Sequence, residues 1–114
     1  MLRARLLRRP VRGGEDECVL SGFSLEGHAD FGEHGTDIVC AGVSAIAQAA
    51  LFGLQDILGD AVRYEKRDGY LSVEVDPARA QEEGPKAVLR TLALGLTAVG
   101  RSYPGSLELL GRIR

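Results

Sequence analysis

The stretch that decides the fold reads DIVCAGVSAIAQAALFGLQDIL (37–58), and its only charged residues are Asp37 and Asp56. Small and aliphatic residues fill the rest, which predicts an α-helix that is apolar on most of its surface and stops at Gly59. The helix is long enough to raise the question of a membrane span. Its Gly, Ser and Gln content is poor for that purpose, so we expect a buried central helix and no membrane association.

The residues at the N-terminal end of the chain predict a first strand. Leu2, Ala4 and Leu6 alternate with Arg3 and Arg5, which is the period of a strand with one buried and one basic, exposed face. An Arg-rich start without acidic residues is also a feature of organelle-targeting segments, but those segments are rich in Ser. The alternation favours the strand.

Further strands are predicted on both sides of the central helix. A second strand covers 18–28 and bends or bulges at Gly22, and a mobile loop precedes the helix. The segments 62–65 and 70–75 flank Asp68-Gly69, a pair typical of a hairpin turn.

The C-terminal third predicts a second helix and a last strand. The helix begins near Pro77 and is broken or restarted at Gly84-Pro85, and the strand begins at Leu107. The predicted order is ββαββαβ, an α+β fold in which two helices pack on a largely antiparallel or mixed sheet. With 114 residues, we expect a single domain over 1–114.

Charge and cysteine content exclude some classes of protein. The net charge of −2 argues against a nucleic-acid binder, which needs a cationic face. Two Cys residues and no predicted signal peptide indicate reduced thiols and a cytoplasmic location rather than a disulfide framework.

The segment GHADFGEHGTDIVCAGVS (27–44) is the best candidate for chemistry. His28 is expected to end a strand, and Cys40 to lie in the first turn of the central helix. There the helix dipole and unpaired backbone N–H groups would stabilise a thiolate and could receive an oxyanion, while His28 accepts the thiol proton. A buried structural thiol is the alternative, and composition leaves both open.

Helical spacing places Asp37, Cys40, Ser44 and Gln48 on one side of the helix. Asp37 is expected either to cap the helix or to orient His28. Ser44 either lines a site or donates back to the carbonyl of Cys40. A polar stripe on an otherwise apolar helix indicates a site or buried polar partners.

A metal site is a weaker hypothesis. The possible ligands match no zinc pattern: His28, Asp30, His34, Asp37 and Cys40. The glycine-rich loop also lacks the phosphate-binding motifs, so we expect no metal and no cofactor. Cys18 has no basic neighbour in the sequence and is predicted to be a core or edge residue of its strand.

The segment closely resembles the signature of the ribosomal-processing cysteine protease (Prp) family, with GHA, then G-x-D-I-V-C-A, then a Ser four residues after the Cys. The resemblance implies a homodimeric, cytoplasmic cysteine endopeptidase of bacteria. Its partner would be a basic large-subunit ribosomal protein, from which it removes a short N-terminal extension. It also implies His28 as base and Cys40 as nucleophile, with Gly27, Asp37 and Ser44 in supporting positions.

Two alternatives stay open at this stage. The first is a non-catalytic, ribosome-associated binding module of the same fold, and the second is a small metal-binding protein. The acidic residues Asp30, Glu33 and Asp37 around the loop would suit a basic substrate.

Overall fold

The computed structural model describes residues 2–11, 14–27 and 34–111. The strands are β1 (Leu2–Val11), β2 (Gly14–Glu26), β3 (Arg63–Arg67), β4 (Tyr70–Glu74) and β5 (Leu107–Leu110). The helices are α1 (His34–Leu58), α2 (Pro77–Ala80) and α3 (Glu83–Ser102), with a short 3-10 turn at Gly59–Ala61.

The five strands form one mixed sheet in the order β3-β4-β2-β1-β5. Neighbours are antiparallel except for β5, which runs parallel to β1. The predicted α+β class and the ββαββαβ order are confirmed. The one-turn helix α2 is an addition, since Gly84-Pro85 lies in the first turn of α3 and restarts the helix.

Strand β1 has the alternation that its sequence predicts. Leu2, Ala4 and Leu6 are buried, whereas Arg3 and Arg5 are exposed on the opposite face of the sheet. Their inward-facing partners on β2 are Phe23 and Leu25, so one apolar face is continuous across both strands. The segment is a strand of the sheet, as predicted.

Helix α1 covers that apolar face together with α3. Its buried residues recur at helical spacing: Val39, Val43, Ala47, Ala50, Leu51, Leu54 and Leu58. They pack in one core with residues of α3 such as Leu89, Leu92 and Leu96. By length and composition the segment Ile38–Ala61 could cross a membrane. In the structure 33% of this segment is buried, and Ile38 and Phe52 are exposed. The expectation of a buried central helix therefore holds for one face of α1 only.

A bulge shifts the register of β1 and β2, as the sequence predicts near Gly22. Leu7 pairs with Gly22, but Arg8 pairs with Leu20, so Ser21 is the extra residue of β2. Ser21 is fully buried and its hydroxyl has no hydrogen-bond partner among the described residues. The bulge therefore bends β2 where it passes over the core.

Gly22 generates a stability prediction. A Cβ at this position would lie 2.3 Å from the carbonyl oxygen of Val73 on β4, so Gly22→Ala must push the two strands apart. We expect the free energy of unfolding to fall by about 2–3 kcal/mol, measured by urea denaturation. Gly42→Ala is the control, because nothing lies within 4 Å of its Cβ and an exposed helical Ala should stabilise by about 0.5–1 kcal/mol. A Gly22→Ala variant as stable as wild type would contradict the tight approach.

Candidate functional site

The candidate nucleophile Cys40 lies on α1 and is partly buried at the edge of the core. Because α1 begins at His34, Cys40 is in the second turn of the helix and not in the first, as the sequence suggested. The four backbone N–H groups without helical acceptors belong to the first turn, three or more residues before Cys40. The predicted proximity to the helix terminus is therefore wrong by about one turn. An Asp is favoured both at an N-cap and inside a first turn, so Asp37 could not mark the start.

Cys40 lines a cavity of about 230 Å³ between α1 and the sheet. The wall from α1 also includes Ser44 and Gln48. Leu2 and Leu25 contribute apolar surface from β1 and β2. The volume is below the roughly 300–1,000 Å³ of a typical small-molecule site.

Gly27 stands where β2 ends, on the rim of the same cavity. Its φ of 93° lies in the region that favours glycine, so this position would strain any side chain. Its backbone N–H donates to the carbonyl oxygen of Gly69 at 2.9 Å. This bond ties the end of β2 to the β3–β4 turn, so the chain leaves the sheet at the cavity.

The β3–β4 hairpin forms the rest of the rim, with residues 66–71. The guanidinium of Arg67 lies 4.1 Å from the ring centroid of Tyr70, within the range of a cation–π contact. Lys66 and Asp68 complete the polar part of this rim. Sequence reasoning located the hairpin but assigned none of its residues to the site, since nothing local shows that it lies beside α1.

A chain of hydrogen bonds crosses from the hairpin to the helix. The Lys66 ammonium donates to Gln48 Oε1 at 2.8 Å, and Gln48 Nε2 donates to Ser44 Oγ at 2.9 Å. The described residues hold no hydrogen bond from Ser44 Oγ to the carbonyl of Cys40, which was the alternative role for Ser44. Three members of the predicted stripe, Cys40, Ser44 and Gln48, thus line one cavity.

Of the remaining predicted residues, only Asp37 and His34 lie in the described part of the chain. His28, Asp30 and Glu33 are outside the described residues. Asp37 is the fourth residue of α1, inside the first turn rather than at the N-cap. His34 is the first residue of α1 and not part of the preceding loop. The described part of the cavity rim carries two basic residues and one acidic residue, Lys66, Arg67 and Asp68.

Cys18 lies elsewhere, on β2 opposite Pro10, and is exposed. The expectation of a core residue is wrong. That of an edge position is confirmed among the described residues, because β4 pairs with β2 only from Gly22 to Glu26 and leaves Cys18 paired with β1 alone. A second cavity of about 330 Å³ places Cys18 near Arg8, Lys86 and Arg90. The fold therefore supplies the basic neighbours that the local sequence lacks.

A metal centre finds no support in the part of the chain that the structure describes. Within 2–11, 14–27 and 34–111, no group of three or more His, Cys, Asp or Glu residues is arranged to hold a metal ion. The donors that line the described part of the Cys40 cavity are a thiol, a hydroxyl, an amide and a single carboxylate. This set offers hydrogen bonds and a nucleophile rather than a coordination shell.

Comparison with known proteins agrees with this chemistry. The family model described as cysteine protease Prp matches residues 14–108. The ribosomal processing cysteine protease Prp of Bacillus subtilis is 29% identical over 112 residues, covering 95% of this chain and 99% of the relative. The protein of the same name from Staphylococcus aureus is 32% identical over 100 residues, covering 82% and 89%.

Solved structures show the same fold. The S. aureus protease in complex with a substrate peptide superposes with a TM-score of 0.75 at 23% identity, covering 96% of this chain and 97% of that one. A second structure of the S. aureus protease, with a covalently linked product peptide, gives a TM-score of 0.73. Because the family model spans most of the chain and relatives match nearly end to end, this chain belongs to the ribosomal processing cysteine protease Prp family and is a cysteine protease.

Proposed function

We propose that this chain is an endopeptidase in which Cys40 is the nucleophile and His28 the general acid and base. The observation that carries the proposal is that Cys40 and Gly27 line one cavity. His28 is the next residue in the sequence after Gly27. The segment that carries the base therefore begins at the rim of the cavity that Cys40 lines. A dyad needs this proximity, because proton transfer requires the two side chains within hydrogen-bond reach.

The reaction follows from these roles. The Cys40 thiolate attacks the carbonyl carbon of the scissile peptide bond and forms a tetrahedral oxyanion. His28, having taken the thiol proton, donates it to the departing amine as the oxyanion collapses to a thioester. A water molecule, deprotonated by His28, then attacks the thioester and releases the second product and the free thiol.

Three further residues have supporting roles in this proposal. Gly27 sets the exit of β2 with a backbone conformation that favours glycine, and so sets the start of the segment that carries His28. Asp37, inside the first turn of α1, orients the imidazole of His28. Ser44, one turn after Cys40, supplies a hydroxyl to the cavity.

The proposed substrate is a short N-terminal extension of a basic large-subunit ribosomal protein, cut in the cytoplasm. The relatives from two bacteria are named ribosomal processing proteases, which supports this substrate class. No nucleic acid is part of the proposal, in keeping with the net charge of −2. We also propose that the enzyme is a homodimer, to be measured by light scattering after size-exclusion chromatography. Phe52 and Leu94 are exposed apolar side chains, which a subunit contact could cover.

The two thiols give the first functional prediction. Exposure alone favours Cys18, which is exposed and shares a cavity with three basic residues, over the partly buried Cys40. If Cys40 is activated, iodoacetamide at neutral pH should nevertheless modify Cys40 first, as measured by peptide mass spectrometry. His28→Ala should slow only the reaction of Cys40. Faster labelling of Cys18, or equal labelling of both thiols, would contradict the assignment of the nucleophile.

The dyad is tested by cleavage of a synthetic peptide that spans the candidate extension. Wild-type enzyme should cut it at one position, seen by mass spectrometry, and Cys40→Ser should not cut it but should still bind it. His28→Ala should lower kcat by about 10² to 10⁴-fold, the usual contribution of a general acid and base. Cys18→Ser is the matched control and should retain full activity. Cleavage by Cys40→Ser at the wild-type rate would reject the mechanism.

Substitution of Asp37 tests whether its carboxylate orients His28 or only stabilises the helix. Asp37→Asn removes the negative charge from the first turn of α1, which costs about 0.3–1 kcal/mol of stability through the helix dipole. If the carboxylate orients His28, kcat/KM should fall strongly, while urea denaturation should show only this small loss of stability. Asp56→Asn, in the last turn of the same helix, is the control and should retain its activity. Full activity in Asp37→Asn would leave Asp37 with a structural role only.

A further inference from the structure

We propose that Lys66 and Gln48 are positioning residues that hold the Ser44 hydroxyl with its proton turned into the Cys40 cavity. There the hydroxyl donates a hydrogen bond to the oxyanion that forms when the thiolate attacks. This inference rests on the proposed function, because it takes Cys40 as the nucleophile. It assigns roles to a hairpin residue and a helix residue that lie beyond the signature segment.

The chemistry of the three side chains fixes the direction of the hydrogen bonds. A lysine ammonium only donates, so the amide oxygen of Gln48 must face Lys66, at 2.8 Å from Nζ. The amide nitrogen of Gln48 then faces Ser44 and donates to Oγ at 2.9 Å. Because Ser44 Oγ is the acceptor in this bond, its own proton remains available to another acceptor.

The usual acceptor for such a proton in a helix is not used here. Thr97 on α3 donates to the carbonyl of Ala93, four residues earlier, at 2.8 Å. Ser44 makes no corresponding bond to the carbonyl of Cys40 among the described residues. Side chains on a helix lean toward its N-terminus, so the Ser44 hydroxyl leans toward the turn that bears Cys40. The cavity that both residues line is therefore the place for its proton.

The position of Cys40 calls for an oxyanion donor other than its own backbone N–H. In the second turn of α1, the backbone N–H of Cys40 is directed to the helical acceptor four residues earlier and not to a substrate. An oxyanion beside Cys40 therefore needs a donor from a side chain or another segment. A hydroxyl that accepts from an amide, which in turn accepts from an ammonium, is a stronger donor than an isolated hydroxyl, because hydrogen bonds in a chain polarise one another.

The test uses peptide cleavage by the full-length enzyme. Ser44→Ala should lower kcat by about 10²-fold with KM nearly unchanged, as for the loss of one oxyanion donor. Gln48→Glu should match it, because a carboxylate still accepts from Lys66 but also takes the Ser44 proton away from the cavity. Lys66→Met should lower kcat about fivefold, the effect of one lost hydrogen bond, and Lys66→Arg should restore most of it. Lys86→Met, the same change at the second lysine and at a different cavity, should have wild-type activity.

A double-mutant cycle decides between positioning and general structure. Lys66→Met should have no further effect on kcat in a Ser44→Ala background, because it acts only through that hydroxyl. Alkylation of Cys40 by iodoacetamide forms no oxyanion, so its rate should be unchanged in both single variants. An equal loss of kcat in both backgrounds, or a parallel loss of alkylation, would overturn the proposal.

The experiments distinguish a failure of the proposed function from a failure of the positioning roles of Lys66 and Gln48. If wild-type enzyme does not cut the peptide, or Cys40→Ser cuts it as wild type does, the proposed function fails and this inference fails with it. If the wild type cuts through Cys40 while Lys66→Met and Gln48→Glu retain full kcat, only the positioning chain is rejected.

Discussion

The packing of α1 against the sheet and α3 is the contact from which the site follows. Val39, Val43 and Ala47 are buried in the core, and this fixes the rotation of the helix about its axis. Cys40, Ser44 and Gln48 each follow one of these residues, so they lie roughly 100° around the helix from the buried stripe. They are therefore placed at the border of the core, where a cavity can be both apolar and open to a polar rim.

The antiparallel pairs of the sheet bring the remaining parts of the site to that border. The turn between β3 and β4 and the end of β2 lie side by side because β4 pairs with β2, and the Gly27–Gly69 hydrogen bond closes this edge. The residue that follows Gly27 is His28. The sheet thus ends β2 at the cavity that Cys40 lines, one residue before the proposed base. The bulge at Ser21 allows β2 to bend over the core before it reaches this edge.

The proposed nucleophile, Cys40, lies within a helix rather than at its terminus. A cysteine at a helix terminus has the dipole and free N–H groups at hand, but in the second turn those N–H groups belong to the helix itself. In the proposed mechanism the Ser44 hydroxyl, one turn later on the same side, takes the place of those N–H groups, and Gln48 and Lys66 hold it. The conformational entropy lost when the long Lys66 side chain is ordered opposes the gain from its single exposed hydrogen bond to Gln48. The net contribution of this bond to folding stability is therefore small, and its role is best measured through catalysis.

Local patterns in the sequence determined much of this protein. The alternation of Leu2, Ala4 and Leu6, the apolar content of 37–58 and the Asp68-Gly69 turn predicted the elements, since period and turn chemistry act over a few residues. The signature around Cys40 indicated the family. The helix start, three residues before Asp37, was missed because a capping residue contributes only about 1 kcal/mol and Asp is favoured at neighbouring positions too. Only the tertiary structure placed Lys66 against Gln48 and Cys18 beside basic side chains. Such contacts join distant segments, and they depend on strand register and helix rotation, which the packing of the whole core decides.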